Sequence, residues 1–457
     1  MTHAAPSTTP PALAAPNAEP TADLERVTMR AVTWRLIPLL FVVYIFNFLD
    51  RTNVGLAALQ MNRDLGFSSA AFGLGAGVFF IGYALLEIPS NLALVRVGAR
   101  RWIARIAISW GVLATLLMFV QTPMQFYVVR FLLGAAEAGF FPAIVYYLSL
   151  WYPASMRARS SARFIVAIPL SGAIGGPLGG TLLGLDGTGG LHGWQWLFVI
   201  EGIPSVLLGI VVLFYLTERP EEAKWLRPDQ RDWLLSRLRE DRDKAVAPHG
   251  LPPLRAMANP TVWLAGLPLF FLNFAGYGYI FWGPTLVRET LHTSNAETGW
   301  LIGAVASMSA VALMIASSYA DRTTKWPLHA AFWAAVVTVA CAGAALIPNP
   351  LARLACLAVV QLAGSAFLPS FVAIPTILLS GPSVAIGAAL VNSIGNVAGF
   401  AAPSLIGYLR GLPGGDVPAF LSLSVFASLA VVILLRIQRH PVFRTSAMKD
   451  GRWVVGK

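Results

Sequence analysis

A short set of ionisable side chains lies inside otherwise apolar runs: Asp50, Arg51, Glu87, Arg130, Glu137 and Glu201. No charged residue separates Arg35 from Asp50, and then an acid and a base stand side by side in "FNFLDRTNVG". Two kinds of chemistry suit such groups. A guanidinium is planar and permanently charged, and it matches a carboxylate with two parallel hydrogen bonds. A carboxyl group held away from water can take up and release a proton as its surroundings change. Arg51 and Arg130 are therefore candidates for binding an organic anion, and Asp50 and Glu137 for carrying a proton.

Spacing supports the grouping. Arg130 and Glu137 are seven residues apart, so they share one helix face. A helix entered near Met124 places Arg130 ~9 Å and Glu137 ~20 Å along its axis at 1.5 Å per residue. On one helix Asp50 and Arg51 point ~100° apart, so they are not each other's main partners. The expectation is a four-charge cluster of Asp50, Arg51, Arg130 and Glu137. Tyr83, one turn before Glu87, offers a hydroxyl to the same anion. Glu87 and Glu201 read as structural groups.

These residues need elements that hold them at depth. The chain has 457 residues, of which 56% are hydrophobic and only 12% charged. A soluble protein carries about 25% charged residues, so a membrane protein is expected. Twelve apolar runs are each long enough for a helix to cross the hydrocarbon, which takes ~20 residues. They divide into six, a charged linker, and six. The expected layout is a disordered N-terminal tail (1–30), a first bundle (31–216), a linker with an amphipathic helix (217–258), a second bundle (259–437) and a C-terminal tail (438–457).

Arg and Lys set the orientation. With the N-terminus inside, the inner loops carry Arg96, Arg100, Arg101, Arg105, Arg157, Arg159, Arg163, Arg322 and Lys325, while the outer loops carry Arg63, Arg288, Arg353 and Arg410. Both termini are thus expected in the cytoplasm. The net charge of +11 flanks apolar segments and forms no single stripe, which argues against a nucleic-acid partner.

A faint repeat aligns "EAGFFP" (137–142) with "GSAFLP" (364–369). Glu137 matches Gly364, and the second-half spans lack charges away from their ends. The second half must then contribute neutral polar groups: Asn392 and Asn396, one turn apart, with Asn273 and Tyr277. Two repeats with a site between them at mid-membrane are the plan of secondary transporters.

Cys341 and Cys356 lie in apolar runs and read as packing residues, with no metal site implied. The six histidines are scattered, and no nucleophile–base pair is visible, so no enzyme, metal or cofactor is expected.

"NFLDRTNVGLA", "GYALLEIPSNLALVRVGARRWIAR", "RFLLGAAEAGFFPAIVYYLSLWYP", "WLFVIEGIPSVLLG", "GYIFWGP" and "NSIGNVAGFAAPSLIG" together resemble the major facilitator superfamily. Within it, the chain is similar to the anion:cation symporter branch of bacterial phthalate, tartrate and hexuronate permeases. The superfamily's loop signature after the second span is incomplete here, with Val95 where an Asp is usual. The run "SGAIGGPLGG" resembles the Gly-Pro motif of drug exporters but reads as helix packing. The resemblance implies an all-α membrane protein of twelve helices in two pseudo-symmetric six-helix bundles. It implies proton-coupled symport of an organic carboxylate by alternating access in the bacterial inner membrane, the proton gradient being the driving force. The same roles for Asp50, Arg51, Arg130 and Glu137 follow from it. Expected partners are a small organic anion, protons and lipid, with the protein monomeric. The alternative is a proton-coupled antiporter exporting a metabolite or drug.

Overall fold

The computed structural model describes residues 18–244, 259–323, 325–378, 383–445, 447–449 and 452–454. The expected linker and tails fall partly outside these residues. Twelve helical segments are long and apolar enough to cross a membrane. In the first half they are Asp23–Asp64, Ser69–Val97, Ala99–Phe119, Pro123–Trp151, Ala167–Leu185 and Gly193–Tyr215, called spans 1 to 6. In the second half they are Pro260–Leu291, Asn295–Ala320, Trp326–Leu346, Pro350–Pro375, Leu390–Arg410 and Asp416–Gln438, spans 7 to 12. Large apolar side chains such as Phe214, Val339 and Met314 are exposed. Lipid is the surroundings that such a surface requires. An even number of spans places both termini on one face.

The tail expected over 1–30 needs correction. The first helix begins at Ala18, so residues 18–30 extend span 1 instead of forming a loose tail. The reason is amphipathic: Thr28, Met29 and Val32 are buried while Arg26 pairs with Asp23 on the exposed side at 2.8 Å. A helix over Pro228–Lys244 lies between the halves, with Leu234 buried and Trp233 and Leu238 packed on the core. A short helix Pro441–Thr445 and an antiparallel hairpin of Ala447–Lys449 with Arg452–Val454 follow span 12.

The end of span 6 and the start of span 3 fit together through charge. Glu218 accepts from Ala99 N at 2.6 Å and Arg100 N at 3.2 Å, satisfying donors that a helix start leaves unpaired. Arg100 donates to Leu216 O at 3.5 Å. Glu218 thus caps span 3 on the face where Val95 supplies no acid.

The halves meet along two seams related by the six-span repeat. Span 2 lies on span 11: a Cβ at Gly73 would meet Pro403 O, and one at Gly77 would lie 2.8 Å from Phe400 O. Span 5 lies on span 8: a Cβ at Gly176 would lie 2.5 Å from Gly299 O, and one at Gly180 2.6 Å from Asn295 O. The glycines of "SGAIGGPLGG" are therefore packing residues. Both seams are tightest towards the face opposite the termini, where span 2 begins and span 11 ends. Arg288 also donates across the halves there, to Leu59 O at 2.9 Å. Just outside, a cavity of about 570 Å³ opens between Asn62, Arg63 and Phe67 of one half and Arg288, His292 and Arg410 of the other.

Candidate substrate and proton site

Span 4 is two helices. Thr122 starts it with a capping box: Thr122 Oγ1 accepts from Gln125 N, and Gln125 Oε1 accepts from Thr122 N, each at 3.3 Å. Pro123 at the first helical position suits that start. The helix runs to Glu137 and stops. Ala138 leaves the helical region (φ −54°, ψ 131°) and Gly139 turns left-handed (φ 82°), after which Phe140–Trp151 resumes. Glycine is needed at 139 twice over, because a Cβ would also press on Ser90 Oγ at 2.5 Å. The Ala138 carbonyl freed by the break accepts from Ser90 Oγ at 2.6 Å, and Trp102 Nε1 donates to that same Oγ at 3.0 Å. The equivalent span 10 is one helix, Pro350–Leu378, straight through Gly364. The break and its acid therefore belong to the first half alone.

Glu137 is fully buried. Its Oε1 accepts from Arg51 Nε at 2.8 Å and is also paired with Arg51 Nη2. The Arg51 guanidinium lies among rings: Phe48 at 5.1 Å, Tyr83 at 5.2 Å and Phe79 at 5.4 Å from its central carbon. Cation–π attraction and the ion pair together hold it. Asn47, one turn before Arg51, is buried beside Glu137.

Arg130 is buried completely and forms no ion pair among the described residues. Its Nη2 donates to Ala76 O at 3.2 Å and its guanidinium lies 4.8 Å from the Phe79 ring centre. Its Nε and Nη1 are buried and make no hydrogen bond. Phe79 thus stands between two arginines, one neutralised and one not. An unpaired buried guanidinium is costly, and an anion's carboxylate would relieve it.

The four charges do not meet in one cluster as expected. Asp50 turns the other way, as the ~100° between adjacent helical residues requires. Its Oδ2 accepts from Ser205 Oγ of span 6 at 2.7 Å and from Trp110 Nε1 of span 3 at 3.0 Å. Glu201, expected to be structural, is buried one turn from Ser205 and accepts from Asn53 Nδ2 at 2.9 Å. Trp110, Ser205 and Asn53 were not among the sequence candidates. The available signal was chemical: buried donors inside apolar helices need acceptors.

The second-half candidates divide. Tyr277 OH donates to Asn396 Oδ1 at 3.4 Å, its ring lies 4.7 Å from that of Phe80, and it is within electrostatic range of Arg51. Asn273 Nδ2 donates to Gly395 O at 3.1 Å and so joins spans 7 and 11. Asn392, one turn before Asn396, is exposed. Glu87 accepts from Ser393 Oγ at 3.3 Å, one of the polar contacts between halves.

Comparison with known proteins matches these features. Residues 40–294 fit the family model described as Major Facilitator Superfamily. A protein named "Putative tartrate transporter" from Agrobacterium vitis is 43% identical over 419 residues, 91% of this chain and 96% of that one. A "Quinolone resistance transporter" from Acinetobacter baumannii is 37% identical over 411 residues, covering 90% and 95%. Among solved structures, a bacterial homologue of the human lysosomal transporter Spinster superposes with a TM-score of 0.74 at 19% identity, over 93% of this chain and 98% of that one. Twelve helices in two six-span halves, buried charges gathered in the first half and relatives that are transporters rather than enzymes lead to one conclusion: this multi-pass membrane protein belongs to the major facilitator superfamily.

Proposed function

We propose that the protein imports an organic carboxylate together with protons across the bacterial inner membrane, with both termini in the cytoplasm. The observation that carries this reading is Arg130: a buried guanidinium with two unused N–H donors, one ring away from an arginine already held by an acid. Arg130 receives the substrate carboxylate. Arg51 becomes a second ligand when a proton on Glu137 loosens the Arg51–Glu137 pair. Arg51, Arg130 and ionised Glu137 carry one net positive charge between them. One proton and one monoanion leave that total unchanged, so the loaded site is no harder to keep in a low-dielectric interior than the empty one. Tyr277 and Asn396 face the substrate from the second half, and the tartrate-named relative fits a carboxylate substrate.

Export of a drug or metabolite in exchange for protons is the second reading, and the quinolone-named relative favours it. Proteoliposomes with an acidic exterior separate the two. Import predicts accumulation of labelled carboxylate that collapses with the gradient and is lost in Arg130→Ala. Accumulation that needs no gradient, or that survives Arg130→Ala, contradicts it.

A further inference from the structure

Asp50 and Glu201 are both fully buried carboxyls, and neither forms an ion pair among the described residues. Every hydrogen bond to them comes from a neutral group: Trp110 and Ser205 for Asp50, and Asn53 for Glu201. The other charged group that acts on Asp50, Glu137 of span 4, is already paired with Arg51 of span 1. Span 3 contributes Trp110 and span 6 contributes Ser205, neither of them charged. Two ionised carboxylates in such surroundings would repel without compensation, so the group must hold a proton.

Two atoms show where that proton fits. Asp50 Oδ1 and Asn53 Oδ1 are buried acceptors without a donor. They stand three residues apart on one helix and so face the same way. A proton on Asp50 Oδ1 supplies the missing donor, and Asn53 then gives its Nδ2 to Glu201. The chain Asp50–Asn53–Glu201 also has a direction. Glu201 lies ~12 Å along span 6 from Gly193, whereas Asp50 lies ~21 Å along span 1 from Asp64, level with Glu137 ~21 Å from Pro123. Gly193, Asp64 and Pro123 all mark the face opposite the termini.

We infer that Asp50 and Glu201, joined by Asn53, act as one proton-holding unit in which Glu201 is the carboxyl nearer the face opposite the termini. The inference rests on the proton-coupled reading above and adds Glu201 and Asn53 to it. Once Asp50 has released its proton, hydronium arriving from that face gives one to a Glu201 carboxylate oxygen and leaves as water. As Asn53 and the carboxyls reorient, that Glu201 O–H bond breaks and an O–H bond forms on Asp50, leaving Glu201 ionised and ready for the next proton.

The test uses purified full-length protein, in detergent for spectra and in proteoliposomes for uptake. The wild type, Asp50→Asn, Glu201→Gln and the double variant are compared. Glu201→Gln keeps the acceptor for Asn53, and thermal unfolding verifies that it folds. The acid-minus-alkaline infrared difference spectrum should lose carboxyl carbonyl intensity in Glu201→Gln. The alkaline limit of gradient-driven uptake should move down by about one pH unit, since a neighbouring negative charge no longer favours protonation. The double variant should match the single Asp50→Asn variant, as members of one unit are not additive. A Glu201→Gln protein with the wild-type infrared band and pH profile overturns the inference while leaving proton coupling intact. So does a double variant whose losses are the sum of the singles. Wild-type uptake driven by sodium instead of protons overturns both the inference and the reading beneath it.

Discussion

Arg51 Nε of span 1 donates to Glu137 Oε1 of span 4 at 2.8 Å, and this pair leaves Arg130 as the buried arginine with unused donors. Glu137 sits on the last turn of a helix that ends at Ala138. Arg51 supplies the positive charge that this buried position at a helix C-terminus otherwise lacks. Replacement by glutamine mimics the protonated acid. Glu137→Gln should bind the carboxylate with little dependence on pH and should fail to accumulate it under a pH gradient. Thermal-shift titration with substrate at several pH values, set beside uptake, checks both halves of this outcome.

Arg130 is expected to act through two N–H donors as well as its charge. Lysine offers a point charge without the fork. Arg130→Lys should therefore weaken substrate binding by about 2 kcal/mol or more, roughly 30-fold, whereas a charge-only role would leave it near the wild-type value. Titration calorimetry on the purified variant gives the number directly.

Gly139 fixes where span 4 breaks. An alanine there must adopt φ 82° and crowd Ser90, at a conformational cost of about 1–2 kcal/mol before any steric clash. Gly139→Ala should lower thermal stability by a few degrees and displace Glu137 from Arg51, reducing gradient-driven uptake more than it reduces folding. Ser90→Ala, which leaves the Ala138 carbonyl without its donor, should show the same pattern more weakly.

The two glycine seams close the face opposite the termini. Alternating access requires that they open and reform. Gly176→Leu places a side chain where the Gly299 carbonyl now stands, so this closure cannot complete. Uptake should fall to background while the protein remains folded. Hydrogen exchange should speed up in the halves of spans 5 and 8 that lie towards the face opposite the termini. Unchanged exchange with lost uptake would assign the glycine a different role.

Much of this was legible in the chain. The apolar runs foretold all twelve spans, because hydrocarbon admits few alternatives to a continuous helix. The intramembrane charges were equally plain, since each is expensive enough to stand out. Direction was not. The angle between Asp50 and Arg51 says that they diverge, but their neighbours depend on how spans 3, 4 and 6 pack. That packing rests on contacts between distant segments, such as Gly202 against Thr115. The break at Gly139 was hidden for a related reason. Glycine is common in membrane helices, and only the Ser90–Trp102 contact, which brings together spans 2 and 3, reveals what this one does. The start of span 1 was hard to see because residues 1–22 are rich in alanine, proline and threonine, which masks the buried face that begins with Thr28, Met29 and Val32.

The central claim is that a carboxylate and protons cross together. A pH electrode in a weakly buffered suspension of proteoliposomes, clamped at zero potential, reads this directly when carboxylate is added outside. The account predicts alkalinisation of the medium in step with uptake for the wild type and a much smaller signal for Glu137→Gln. Acidification, or uptake without any pH change, would contradict it.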